Sequence, residues 1–372
     1  MRYILLTGIF TALFLLAGTY TSAQKESYTH GSSQNTMDGL LYPGEEQYFK
    51  NIKQLTFGGD NAEAYWSFDD EQLVFQASNE DWGASCDQIF ITDVDDPKMK
   101  KRAPKMVSTG MGRTTCSYFM PGDTTILYAS THEGSKDCPP EPDRREDGKY
   151  VWPIYSSFDI YVADLQGNIT RKLTDRPGYD AEATVSPKGD KIVFTSVRSG
   201  DLELYTMDID GSNVQQITDE LGYDGGAFFS PDGTKLVWRA SRPETEKEKK
   251  EYKQLLNKGL VTPSEMEVFV ANVDGSNMRQ VTDLGKANWA PFFHPSGEKI
   301  VFSSNHHADR GFKFNLFMID IDGSNLKQIT HDKTFDAFPV FSNGGDKLIF
   351  SSNRNNGGTR DTNLFLVEWS EQ

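Results

Sequence analysis

The sequence is short of the features that most often announce a function. Its 372 residues hold three cysteines and six histidines. It has no Gly-x-Ser-x-Gly elbow and no His-Glu-x-x-His pair, so the nucleophile and metal chemistry those motifs carry is not expected. Positive charge is also scarce. Lys and Arg total 38 against 54 Asp and Glu, a net charge of -16. Phosphate surfaces need a cationic field, which excludes a general nucleic-acid or anionic-membrane binder. After Leu16 no apolar run approaches the roughly 20 residues of a spanning helix. What remains is 37% hydrophobic and 12% aromatic, too rich in core-forming residues for disorder.

The first 23 residues do not look like part of the fold. Arg2, an apolar run from Ile4 to Leu16, and Thr21-Ser22-Ala23 before Gln24 have the order of a secretory signal peptide cut after Ala23. Residues 24–50 lack periodicity and are expected to form a leader, with a mature protein in the periplasm or secreted. An uncleaved anchor is the alternative.

The body from 51 to 370 repeats. Gln54-Leu55-Thr56, Lys172-Leu173-Thr174, Gln216-Ile217-Thr218, Gln280-Val281-Thr282 and Gln328-Ile329-Thr330 are copies of one string, with Met106-Val107-Ser108 a degenerate sixth. Between anchors the order is constant. A strand ends in a turn such as Ser230-Pro231-Asp232-Gly233 or Ser186-Pro187-Lys188-Gly189, and a β-rich run such as Lys191-Ile192-Val193-Phe194 follows. A third strand such as Leu204-Tyr205-Thr206-Met207 then leads to an Asp-Gly turn, as at Asp210-Gly211. Pro, Asp and Gly suit these places because tight turns need preset or positive φ. Four strands per unit and six units predict an all-β, six-bladed β-propeller. The last repeat ends at Leu364-Phe365-Leu366-Val367 without a Leu-Thr strand, whereas the first such strand, Asn51 to Thr56, precedes the first full repeat. The N-terminal strand is therefore expected to complete the last blade and remove its open edges.

The Leu-Thr anchor, Ser-Pro-Asp-Gly turn, Phe-x-Ser strand end and Asp-Gly-Ser-Asn turn resemble the WD-like repeats of the TolB-type propeller family, over about Asn51 to Trp369. That resemblance implies the fold but spreads over scaffolds, peptidase-linked propellers and polysaccharide lyases. The residues before Asn51 are too few for the N-terminal α/β domain of TolB itself. Only three residues follow Trp369, so a C-terminal peptidase domain is not expected.

Strand order turns positions into faces. The inner strands start at Asn61, Thr114, Asp180, Asp224, Asn288 and Asp336, and two residues on come Glu63, Cys116, Glu182 and Gly226. These converge by symmetry on the channel mouth, with carboxylates at Glu63, Asp180, Glu182, Asp224 and Asp336. They could hold Ca²⁺ or an amine-bearing ligand; alternatively the strand-start residues bond nearby backbone. A second ring, Asn79, His132, Arg198, Arg242, His306 and Arg354, ends the second strands. Its cations either pair with those carboxylates or grip a ligand carboxylate.

Two repeats carry inserts, about 133–157 and 243–265, at the same kind of loop on the mouth face. The second is predicted helical over about Glu244 to Lys258, with Tyr252, Leu255 and Leu256 on one stripe. Both are expected to wall or lid the mouth. Cys86, Cys116 and Cys138 lie toward the same face; they allow one disulfide and one free thiol, with three pairings open, and a pinned insert favours a bond involving Cys138. His306-His307 lacks an evident third metal ligand, and Asp208 to Asn213 lacks the glycine and glutamate of a calcium loop. The resulting expectation is an exported, non-catalytic propeller that binds an envelope protein, peptide or glycan across the collar and inserts. The alternatives are a lyase or hydrolase of acidic polysaccharide, with His132, His306 or a collar carboxylate as base, and an accessory propeller of a separate peptidase.

Overall fold

The computed structural model describes residues 39–371 apart from 97–101, 144, 146 and 310. The stretch expected to be a signal peptide and most of the expected leader lie outside the described residues.

Six four-stranded antiparallel sheets are built. Blade one comprises Asp60–Trp66, Gln72–Asn79, Ala84–Asp93 and Lys105–Met106, and blade two Thr114–Phe119, Thr125–Ser130, Asp159–Asp164 and Ile169–Lys172. Blade three is Asp180–Val185, Lys191–Ser196, Glu203–Asp208 and Gln215–Gln216; blade four is Asp224–Phe229, Lys235–Ser241, Met266–Asn272 and Arg279–Gln280. Blade five follows with Asn288–Phe293, Lys299–Ser304, Asn315–Asp320 and Lys327–Gln328. Blade six supplies Asp336–Phe341, Lys347–Ser352 and Asn363–Trp369, and its outermost strand is the N-terminal Phe49–Gln54, in register Phe49↔Trp369 and Gln54↔Phe365. Parallel bridges tie the start of a third strand to the next blade's inner strand, as at Leu202↔Tyr223 and Phe314↔Phe335.

The recurring Leu-Thr string has a structural cause. Most outer strands pair over only two residues, as Tyr205↔Gln216 and Thr206↔Gln215 show. The Thr extends this short ladder: its hydroxyl accepts the third-strand N–H, Leu204 to Thr218 at 2.8 Å and Val268 to Thr282 at 2.8 Å. Ile89 bonds Ser108 in the same way at 2.9 Å, so the degenerate copy keeps the hydroxyl and loses only the methyl. The apolar residue beside it packs inward, with Leu55, Val107 and Ile329 buried. At the opposite end of the blades the Ser230 carbonyl accepts the Gly233 N–H at 2.8 Å, with Gly233 at φ 64°.

Blades pack through their β-branched and aromatic faces, for example Phe194, Tyr205, Met207, Ile160 and Val162 between blades two and three. Among the described residues no helix is long and apolar enough to cross a membrane. The one α-helix among the described residues, Glu246–Leu256, starts at a capping box between Thr245 and Glu248 and lies inside the second insert.

Candidate functional site

Each inner strand is bulged at its third residue, or the fourth in blade one, whose strand starts a residue earlier at Asp60. The pairing register shifts there in every blade, as between Ala62 and Tyr65 or Ala181 and Thr184. Glu63, Cys116, Glu182, Gly226, Ala290 and Phe338 take φ values between 40° and 62°. A left-handed conformation costs about 1 kcal/mol or more for a residue with a Cβ, and a bulge re-aims the side chain. Here it turns one residue per blade into the channel. The N–H groups the bulge frees are taken up by the preceding blade: Cys116 donates to Gln76 at 3.1 Å, Gly226 to Glu182 at 3.0 Å and Phe338 to Ser303 at 3.0 Å.

These six residues line a cavity of about 790 Å³, a size that suits a small ligand or a chain end. Its roof comes from the first insert, with Glu141, Tyr150, Trp152 and Ile154 among the lining residues, and the second insert is joined to that roof. Trp152–Pro153 pairs with Leu260–Val261 as a two-stranded sheet, and Arg145 and Lys149 reach Glu251 on the helix at 2.9 and 3.1 Å. The first insert is also held by a Cys86–Cys138 disulfide to blade one, leaving Cys116 as a buried free thiol. Tyr252 and Leu256 pack with Ile154 and Val261, and Leu255 is buried. Trp152 stands 5.1 Å from Trp289 between ring centres, and Tyr150 meets Phe312 edge to face at 5.4 Å. The last two are 53% and 59% exposed and mark the entrance.

The cavity floor carries the charge. Glu182 accepts from Arg239, from the Tyr223 hydroxyl at 2.8 Å, from Thr195 at 2.7 Å and from the Gly226 N–H. The Arg239 guanidinium lies 5.2 Å from the rings of both Trp152 and Tyr223. Glu63 has a different surrounding: its Oε2 accepts the Cys116 thiol at 2.9 Å. Burial pushes its carboxyl up to about 7; the thiol and Arg239 pull it down, and the Glu182 charge pushes it up. Burial and the neighbouring carboxylates raise the Cys116 thiol well above its ordinary value, so it is a protonated donor and not a thiolate nucleophile.

Of the residues expected at one collar, the structure brings Glu63 and Glu182 together in the cavity. Asp180, Asp224 and Asp336 are absent from its lining and are held within their own blades. Arg198 grips Asp180 at 3.0 Å, Arg242 grips Asp224 at 2.7 Å and Arg354 grips Asp336 at 2.9 Å. Each guanidinium also lies over aromatic rings, Arg198 over Phe194 and Tyr205 and Arg242 over Phe269. Where the strand starts with a neutral residue the second ring is neutral or His: Ser304 links Asn288 to His306, at 2.6 and 2.9 Å, and His132 bonds Ser130 at 2.9 Å. The two rings are thus one set of strand-end pins matched in charge, and neither His132 nor His306 reaches the cavity. No group of three or more His, Cys, Asp or Glu side chains among the described residues is placed to hold a metal. The mouth does not offer Ca²⁺ the several oxygen ligands it takes, because four of the five carboxylates, Asp180, Asp224, Asp336 and Glu182, are engaged by Arg.

Two functional-looking residues escape the sequence reading. Arg239 occupies the fifth place of its second strand, where the other blades have Gln76, Ala129, Thr195, Ser303 and Ser351. Aligning the repeats place by place would have exposed it, together with Gly226 opposite. A Cβ on Gly226 would stand 1.8 Å from an Arg239 nitrogen. The other is Glu45, buried in the strap before the first strand, which binds Arg354 at 3.0 Å and accepts the His331 N–H at 2.9 Å. No local motif marks it.

Six blades, a closing N-terminal strand and a roofed channel mouth define a six-bladed β-propeller with a cavity at one end of its channel. The family model for the TolB beta propeller domain matches residues 154–260, and the fold is similar to that of TolB propellers. A putative TolB from Agrobacterium tumefaciens is 19% identical with a TM-score of 0.54, over 86% of this chain and 96% of that one. TolB from Acinetobacter baumannii is 18% identical with a TM-score of 0.50, over 85% of this chain and 65% of that one. An oligogalacturonate lyase in complex with manganese is 14% identical with a TM-score of 0.49, over 86% and 80%. No curated protein sequence matches the chain.

Proposed function

We propose that this is an exported, non-catalytic propeller that captures a peptide, protein or glycan partner on the insert face and takes part of it into the roofed cavity. One observation carries the reading: the first insert is fastened to blade one by a disulfide and paired with the second insert, and so is held over a preformed, aromatic-walled space above the channel. A fixed roof costs little ordering on binding, and functional residues concentrate in such loops. Glu63 and Glu182 are the ligand-facing carboxylates. Asp180, Asp224, Asp336, Arg198, Arg242, His306 and Arg354 serve by fixing the strand ends that aim them. Export, to periplasm or medium, is supported by the signal-like start and by the disulfide, which persists in oxidising compartments. The test is a screen of immobilised glycans and peptides with the wild type and Trp152→Ala. Retained partners should be lost with Trp152→Ala and kept when Asp232, in a turn on the far face, becomes Ala. The opposite pattern would place the site elsewhere.

A second reading, a lyase or hydrolase of acidic polysaccharide, is favoured by the Glu63 carboxyl, which titrates near neutrality beside Arg239, as a general acid or base does. Incubation with polyuronates and detection of unsaturated or shortened products decides it; no turnover across the set removes it.

A further inference from the structure

The charges lining the cavity do not balance. Among the described residues its carboxylates are Glu63, Asp87, Glu141, Asp143 and Glu182, and its cations are Arg113, Arg145, Lys149 and Arg239. Every cation is already engaged. Arg113 lies between Glu141 and Asp87, Arg145 and Lys149 share Glu251, and Arg239 is bound by Glu182. Glu63, deep on the floor, has a thiol for its partner and no cation within salt-bridge distance. The same cavity is lined by Tyr65, Tyr179, Tyr223, Trp152, Trp289 and Phe338, whose π-faces attract cations. Within the cavity the molecule already uses that property, holding the Arg239 guanidinium 5.2 Å from the rings of Trp152 and Tyr223.

We propose that the ligand presents an organic cation, a primary or substituted ammonium, that enters among these rings and takes Glu63 as its counter-ion. This rests on the cavity being the ligand site. A carboxylate ligand is the poor match, since it would have to displace an existing pair to find a cation. The groups facing Glu63 are Cys116, Glu182, Arg239, Asp87 and Tyr65. Of these, Glu182 and Asp87 disfavour its ionised form, and an incoming ammonium offsets them. Binding of a cation should therefore strengthen as Glu63 ionises, from pH about 6 to about 8, whereas an anionic ligand should show the reverse slope and a neutral one little dependence.

The experiment uses the full chain and three probes of one shape: benzylammonium, benzyl alcohol and benzoate, titrated by ligand-observed NMR. Benzylammonium is expected to bind about tenfold or more tightly than the other two at pH about 8, the scale of a charge-assisted bond. Glu63→Gln should remove that preference. If this variant does not fold, Trp152→Ala, on the roof and outside the blades, should weaken benzylammonium severalfold. Equal binding of the three, or a preference for benzoate that Trp152→Ala abolishes, overturns the cation assignment while leaving the cavity as the site. No binding of benzylammonium also overturns it, and partner capture insensitive to Trp152→Ala in the screen above is what would remove the cavity itself.

Discussion

Glu182→Ala is the substitution that most sharply tests how the cavity floor is held. The side chain accepts four hydrogen bonds, from Arg239, Tyr223, Thr195 and the Gly226 N–H, and only 8% of the residue is exposed. Alanine leaves a guanidinium, two hydroxyls and one amide without their acceptor. Removing one member of a buried pair costs about 3–5 kcal/mol. The floor borders a cavity that water can enter and re-solvate part of what is lost, which favours the lower end, about 3 kcal/mol. In a chain of this size that lowers Tm by roughly 5 °C. The assay is thermal or urea unfolding of five proteins: wild type, Glu182→Ala, Glu182→Leu, Arg239→Met and the Glu182→Leu/Arg239→Met double variant. The double variant should be more stable than Glu182→Leu alone, because the stranded charge is gone. Losses that simply add, or a Glu182→Ala loss below about 1 kcal/mol, would refute the view that these groups act as one unit.

Two further outcomes follow from the same geometry. Gly226→Ala should cost about 2 kcal/mol or more, since its Cβ would stand 1.8 Å from an Arg239 nitrogen at a φ of 62°, and Arg239→Ala should relieve part of that loss in denaturation experiments. Glu203 is buried with one carboxylate oxygen unpartnered, and burial pushes its carboxyl up to about 8 from 4.5. The folded state therefore holds a proton that the unfolded chain has released, so this group's contribution is present below the ordinary glutamate value and is lost as pH rises through about 8. Melting curves of Glu203→Gln and wild type should diverge across that window, with the variant gaining relative to wild type at the alkaline end; parallel curves would contradict the assignment.

The architecture was legible because it is periodic. A Leu-Thr string read as a strand anchor has its cause in Thr218 and Thr282, whose hydroxyls carry the ladder past a two-residue outer strand, and the closing strand was evident from what the last repeat lacked. The helix in the second insert, expected over about 244–258, spans Glu246–Leu256. The site was half legible. Strand order placed Glu63 and Glu182 at the mouth, but alternation alone put Asp180 and Asp224 beside them, since the sequence shows no bulge. The left-handed third residue separates the two sets, turning Glu63 inward and leaving Asp180 to Arg198. Arg239 carries no local mark, because its burial depends on Glu182 from another blade. The joining of the inserts involves Trp152 and Leu260, a pairing of two residues per strand that no local pattern encodes.

Hydrogen–deuterium exchange of the protein with and without a captured partner tests the central claim most directly, that ligand is taken on the insert face under the joined roof. Protection is expected in Tyr150–Tyr155, in Leu260–Val261 and at the bulged residues Glu63, Cys116 and Glu182, with the turns at Ser186–Gly189 and Ser230–Gly233 unchanged. Protection confined to those turns, with the roof exchanging as in the free protein, would contradict it.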